Sequence, residues 1–201
     1  MIRRSLDVST LPAIAFGARA TLWWGVIALL AIEGTALGLT GASYLYVRRN
    51  FVEWPPTGTI VPALGVATAE LGVLLLSLVP MILVDRAARR QEYLPVTVGL
   101  AVVTLFGLAS LGLRALEFAG ALGVRWDANV YGSVVWLLLG MQATHVITST
   151  VENALILAVL LVGPVERKDY VDAHVNAVFW YFVVGTWASV YALVYLAPRW
   201  L

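Results

Sequence analysis

From Tyr131 to Leu161 the chain reads YGSVVWLLLGMQATHVITSTVENALILAVLL, an apolar stretch whose one formal charge is Glu152. A stretch this long belongs either in the interior of a large protein or in the hydrocarbon of a membrane, where roughly 20 apolar residues suffice to span. Composition decides between them. The 201 residues are 61% hydrophobic and 12% charged, with a mean hydropathy of +0.87. A soluble domain is about half apolar and a quarter charged, so the hydrocarbon reading holds.

Four further apolar stretches complete the pattern. The expected fold is all-α, one transmembrane domain over residues 1–201, with five spans at about 22–47, 60–84, 94–118, 130–162 and 175–197. The first stretch is too long for the apolar part of a signal peptide and is read as a retained span. Trp23 and Trp24 open it and Tyr44 and Tyr46 close it, as an aromatic belt would. Pro55-Pro56 breaks the chain before the second span, and Gly163-Pro164 ends the fourth. The stretch ERKDYVDAH is expected to be a charged loop, and Pro198 to stop the fifth span.

Five spans place the termini on opposite sides. One side carries Arg3, Arg4, Arg19, Arg86, Arg89, Arg90, Arg167 and Lys168, the other only Arg48, Arg49, Arg125 and Arg199. Positive charge collects on the cytoplasmic side, so the N-terminus is expected inside. Lys168 is the sole lysine in an Ala-, Leu-, Val- and Gly-rich chain, which reads as a GC-rich bacterial genome; the expected location is a bacterial inner membrane. The net charge of +1 provides no basic face for nucleic acid. Without cysteine there is no disulfide, thiolate metal site or thiol nucleophile.

Several polar side chains fall where lipid is expected. A charge at the bilayer centre costs at least about 2.5 kcal/mol, so Glu33, Glu70, His145 and Glu152 must each face protein or water. Glu33, in AIEGTALG, reads as a protonatable group, a partner for a buried histidine, or a hydrogen-bonding residue that fixes helix register. Gln142, His145, Ser149 and Glu152 recur at spacings of three and four, a polar stripe on one helical face suited to interhelical hydrogen bonding. Arg114 and Glu117, at i and i+3, are expected to pair near the membrane interface. Glu70 has no partner that the sequence names. A bis-histidine haem would need His145 and His174, and His174 is expected at the membrane boundary. No HExxH, GxSxG or phosphate-binding glycine loop occurs, so the chain presents no catalytic residues of its own.

In order along the chain, these residues resemble subunit III of the haem-copper respiratory oxidases. WWGVIALLAIEGTALGLTGASYLYVRR is similar to that family's glutamate-bearing helix with its Tyr-rich exit, with Glu33 in the glutamate's place. Glu117-Phe118 matches a glutamate-aromatic pair, Tyr131-Gly132-Ser133 a YGS motif, and His145 the second of two histidines before a valine. In the closing helix His174, Trp180, Phe182, Val183 and Trp187 stand in register. The chain departs from the family at Gln142, where the first histidine stands, and at Tyr181 and Val184, where the family has histidine and aspartate; Glu152 has no counterpart. It resembles the five-helix bacterial form.

The resemblance implies a non-redox subunit that packs on oxidase subunit I alongside subunit II, and joins a respiratory supercomplex where one forms. Haems and copper would then belong to the partner subunits, with no cofactor or metal in this chain. Bound phospholipid, assembly and sustained proton uptake are the implied roles. Glu33, Glu117, His145, Gln142, Arg114, Glu70, Glu152, His174, Trp180 and Trp187 are the buried polar, lipid- or proton-related candidates. Three other readings stay open: a nitric-oxide-reductase-associated homologue, a small proton or ion transporter relaying through Glu33, Glu70, His145 and Glu152, and a haem or quinone anchor.

Overall fold

The computed structural model describes residues 15–200; Arg3 and Arg4 lie outside them. Its long helices are α1 (Thr21–Arg48), α2 (Leu64–Arg90), α3 (Tyr93–Leu116), α4 (Val130–Val162) and α5 (Arg167–Tyr191). All five are long and apolar enough to cross a membrane, counting the π turn Glu117–Ala121 that continues α3 and the turns through Trp200 that continue α5. A helix satisfies its own backbone, which is what hydrocarbon demands.

Local chemistry sets the helix ends, and it moves several of them from their expected places. The second span was expected from residue 60, but residues 60–63 are non-helical and α2 begins at Leu64; the Pro62 carbonyl instead accepts from Arg199 Nη2 at 2.6 Å. At its far end α2 runs past Val84 to Arg90. Gln91 there takes a left-handed conformation (φ 58), and Gln91 and Glu92 donate back to the Ala88 and Ala87 carbonyls, a C-terminal closure usually built on glycine. The expected loop ERKDYVDAH is helical. Glu166 and Asp169 form a reciprocal capping box, so α5 starts at Arg167 rather than near Val175 and carries His174 into the bundle. Pro198 does not stop the last helix either. The wider π turn Ala192–Leu196 precedes it, which relieves the clash a proline ring makes with the carbonyl four residues back.

The α3–α4 connection turns at Gly123 (φ 69), where a side chain would be strained. In this loop Arg125 Nη2 stands 2.7 Å from Asp127 Oδ2, and the bond holds the exposed Asp127 carboxyl below the usual carboxylate range. Asn129 caps α4 by accepting from Gly132 N at 2.9 Å. Gly132 admits no side chain, because a Cβ there would collide with the Arg125 carbonyl.

Helices α2, α3, α4 and α5 form a ring in which α2 and α4 each touch both α3 and α5; α1 lies outside it, against α4 and α5. Leu74, Met81, Leu100, Leu138, Trp180 and Trp187 fill the centre and are fully buried. Outward, Leu76, Val79, Leu83, Leu105 and Leu155 are exposed, the surface lipid covers. Only a small part of α1 is buried, Leu37 and Tyr44 being its buried residues.

Candidate functional site

The polar side chains form three separate groups between the helices. The deepest in charge lies toward the end that carries the α1–α2 and α3–α4 loops. Arg114 Nη2 on α3 stands 2.7 Å from Glu70 Oε2 on α2, and Arg114 Nη1 stands 2.5 Å from Glu117 Oε2. All three residues are at most 3% exposed. Ser110 Oγ donates to Glu70 Oε1 at 2.9 Å, and the Tyr195 hydroxyl donates to Glu117 Oε1. The guanidinium lies over Trp187, 4.1 Å from the ring centroid. One arginine thus sits between two carboxylates, with aromatic faces excluding lipid. The expected Arg114–Glu117 pair is present, and it is buried in the packed interior of the bundle. Glu70 supplies the missing half; Ser110 and Tyr195 are further members that sequence reasoning did not find.

At mid-bundle, His145 Nε2 on α4 lies 3.1 Å from Glu33 Oε2 on α1, and the imidazole meets Phe179 and Phe182 edge-on. With the Thr40 hydroxyl against Met141 Sδ and the buried Leu37 and Tyr44, this contact ties the loosely held α1 to the ring. Gln142 Nε2 donates to the Val183 carbonyl at 2.9 Å, while the Thr186 hydroxyl donates to Gln142 Oε1 at 3.2 Å. Trp180 Nε1 donates to Ser77 Oγ at 2.9 Å, joining α5 to α2. Val184, where the resembled family has aspartate, is a buried apolar contact, and Tyr181 is only half-buried.

The third group lies toward the opposite end. His174 Nδ1 is 2.6 Å from Asp85 Oδ1, and Arg89 Nε is 3.2 Å from the same oxygen. His174, in the first turns of α5, is 1% exposed and buried between helices. Asn176 Nδ2 donates to Asn153 Oδ1 at 2.8 Å, another α5–α4 bond. Of the α4 stripe, Gln142, His145 and Ser149 are buried, whereas Glu152 stands apart on a groove at the outside of the bundle.

Among the described residues no three His, Asp or Glu side chains gather to hold a metal. Most of the side chains singled out on α2–α5 bind helices to one another; Glu152 does not. What the fold defines is a multi-pass α-helical membrane protein with an internal polar frame and an apolar exterior. No family model matches the chain. The chain is similar to the cytochrome c oxidase subunit 3 of Thermostichus vulcanus, 24% identical over 185 residues that cover 87% of each chain.

Proposed function

We propose that the chain is a non-redox accessory subunit, the third, of a haem-copper terminal oxidase in a bacterial inner membrane. The observation that carries this is the end-to-end similarity to a cytochrome c oxidase subunit 3, over 87% of both chains. The internal chemistry supports it. Polar side chains such as Arg114, Glu33 and Gln142 are consumed in holding helices together, which is the task of a scaffold. On this reading the apolar outer face packs on subunit I and on phospholipid, with the N-terminus in the cytoplasm. The chain then supports assembly and keeps proton delivery to its larger partner in place, while the partners hold haem and copper.

Deleting the chain tests the proposal in the membrane. Haem spectra should survive, and oxygen consumption should start near normal and decline during turnover. A normal, sustained rate in the deletion strain would overturn it, and so would oxygen-independent proton flux through the isolated chain in liposomes.

A further inference from the structure

We propose that Tyr195 is a redox-active tyrosine, which gives up an electron through the stacked ring of Tyr191 and its hydroxyl proton to Glu117. The inference goes beyond the subunit reading and needs no partner chain. Trp187, Tyr191 and Tyr195 recur every four residues and share one face of α5 and the π turn that continues it. The Tyr191 and Tyr195 rings stack with centroids 5.3 Å apart and planes 21° apart, and Trp187 lies 6.2 Å from each. Trp187 and Tyr195 are fully buried. Tyr191 is 8% exposed, and its hydroxyl lies 2.7 Å from that of Thr68, an exposed residue of α2. Tyr191 is therefore the ring by which this ladder reaches the surface of the bundle.

Of the three rings, one has a base for its proton. A phenol that loses an electron becomes strongly acidic, so its oxidation is practical where an acceptor already holds the hydroxyl hydrogen. Tyr195 donates that hydrogen to Glu117 Oε1, and the transfer needs no movement of heavier atoms. Tyr191 faces a threonine hydroxyl instead, which is a very weak base. Trp187 lies under the Arg114 guanidinium, with Arg114 Cζ 4.1 Å from the ring centroid, where a ring cation would be repelled. A hole that enters at Tyr191 thus settles on Tyr195.

Charge favours the same step. With both carboxyls ionised, Glu70 and Glu117 against Arg114 leave one negative charge in excess, among residues at most 3% exposed. Buried excess charge is costly, and it eases the removal of an electron nearby. After the step Glu117 is neutral and bonds back to the phenoxyl oxygen, while Arg114 keeps Glu70, so the excess is gone. The oxidant that suits an entry ring at an apolar surface is an organic peroxyl radical dissolved in lipid. It takes one electron from the ladder and one proton from the aqueous phase and leaves as the hydroperoxide. Tyr195 becomes a neutral phenoxyl radical, and Glu117, with the tyrosine's proton, a carboxylic acid.

Electron paramagnetic resonance of the full chain in phosphatidylcholine vesicles tests this, with peroxyl radicals released in air by a lipid-soluble azo initiator and samples frozen at intervals. A tyrosyl spectrum is expected, and its splitting should collapse in chain grown on ring-deuterated tyrosine. Tyr195→Phe should abolish the signal. Glu117→Gln should do the same, because the amide keeps an acceptor for the hydroxyl but is no base. Tyr191→Phe, which gives up only the bond to Thr68, should slow the build-up of the signal, and it keeps the test open where a buried variant folds poorly. Circular dichroism checks helical content in all three. Absence of a tyrosyl signal from the unaltered chain, or a signal undiminished in folded Tyr195→Phe, would overturn the assignment. An undiminished signal in Glu117→Gln would overturn the proton transfer, and an unchanged rate in Tyr191→Phe the entry route.

Discussion

Arg114 Nη2 lies 2.7 Å from Glu70 Oε2, so the guanidinium of α3 is held by a carboxylate of α2 as well as by Glu117 of its own helix. In a bundle where lipid removes the hydrophobic drive between helices, such a bond fixes which faces meet. Its value is easier to see when broken than when counted.

Replacing Arg114 by methionine leaves two buried carboxylates facing each other without a cation. Destabilisation of about 3–5 kcal/mol is expected, the range for breaking a buried pair. The triple variant Glu70→Gln, Arg114→Met, Glu117→Gln should lose less than the single one, because no charge is stranded. Unfolding titrations in detergent measure both; equal losses would contradict the buried charge cluster.

Glu33→Gln keeps a hydrogen-bonding side chain opposite His145, so a loss near the 0.6 kcal/mol average for interhelical bonds in membranes is expected. His145→Leu removes the partner and strands Glu33 in mid-bundle, which should loosen α1 further and lower the yield of assembled complex. Difference spectra of that complex should stay normal. Disappearance of a haem band in either variant would contradict a non-redox role.

Helix α3 comes so close to α4 at Gly107 that a Cβ would collide with the Thr150 side chain. Gly107→Ala should therefore destabilise by about 1–3 kcal/mol, the usual effect of overpacking, and Thr150→Ala in the same chain should recover most of it. Thermal unfolding of the two variants decides the point; a neutral Gly107→Ala would show that the helices stand further apart.

The chain has no cysteine, so single introduced cysteines report topology directly. Val52 in the α1–α2 connection and Val165 in the α4–α5 connection are both exposed. With the N-terminus inside, Val52→Cys should react with an impermeant maleimide in intact spheroplasts, and Val165→Cys only after permeabilisation. The reverse pattern would invert the orientation.

The five helices were legible because hydrocarbon imposes length and apolarity on every span. The misplaced ends have local causes that hydropathy does not register: the Glu166–Asp169 capping box, the left-handed Gln91, and the π turn before Pro198. In the site, a partner on the same helix was readable, and across helices only the histidine partner of Glu33 was among the alternatives. Arg114 and Glu117 are a turn apart, whereas Glu70 meets Arg114 only through the packing of α2 on α3. A spare charge in a span was the available signal: a lone Glu70 in lipid had to find a cation, and Arg114 was the intramembrane candidate.

The most direct test of the subunit reading is a mild-detergent pull-down of the tagged chain from its native membranes, read by reduced-minus-oxidised spectroscopy and by mass spectrometry of the partners. Haem bands with a large multi-span oxidase subunit are expected, a-type bands marking a cytochrome c oxidase and b-type bands alone sending identification to the partners. A colourless protein that comes down by itself would contradict the account.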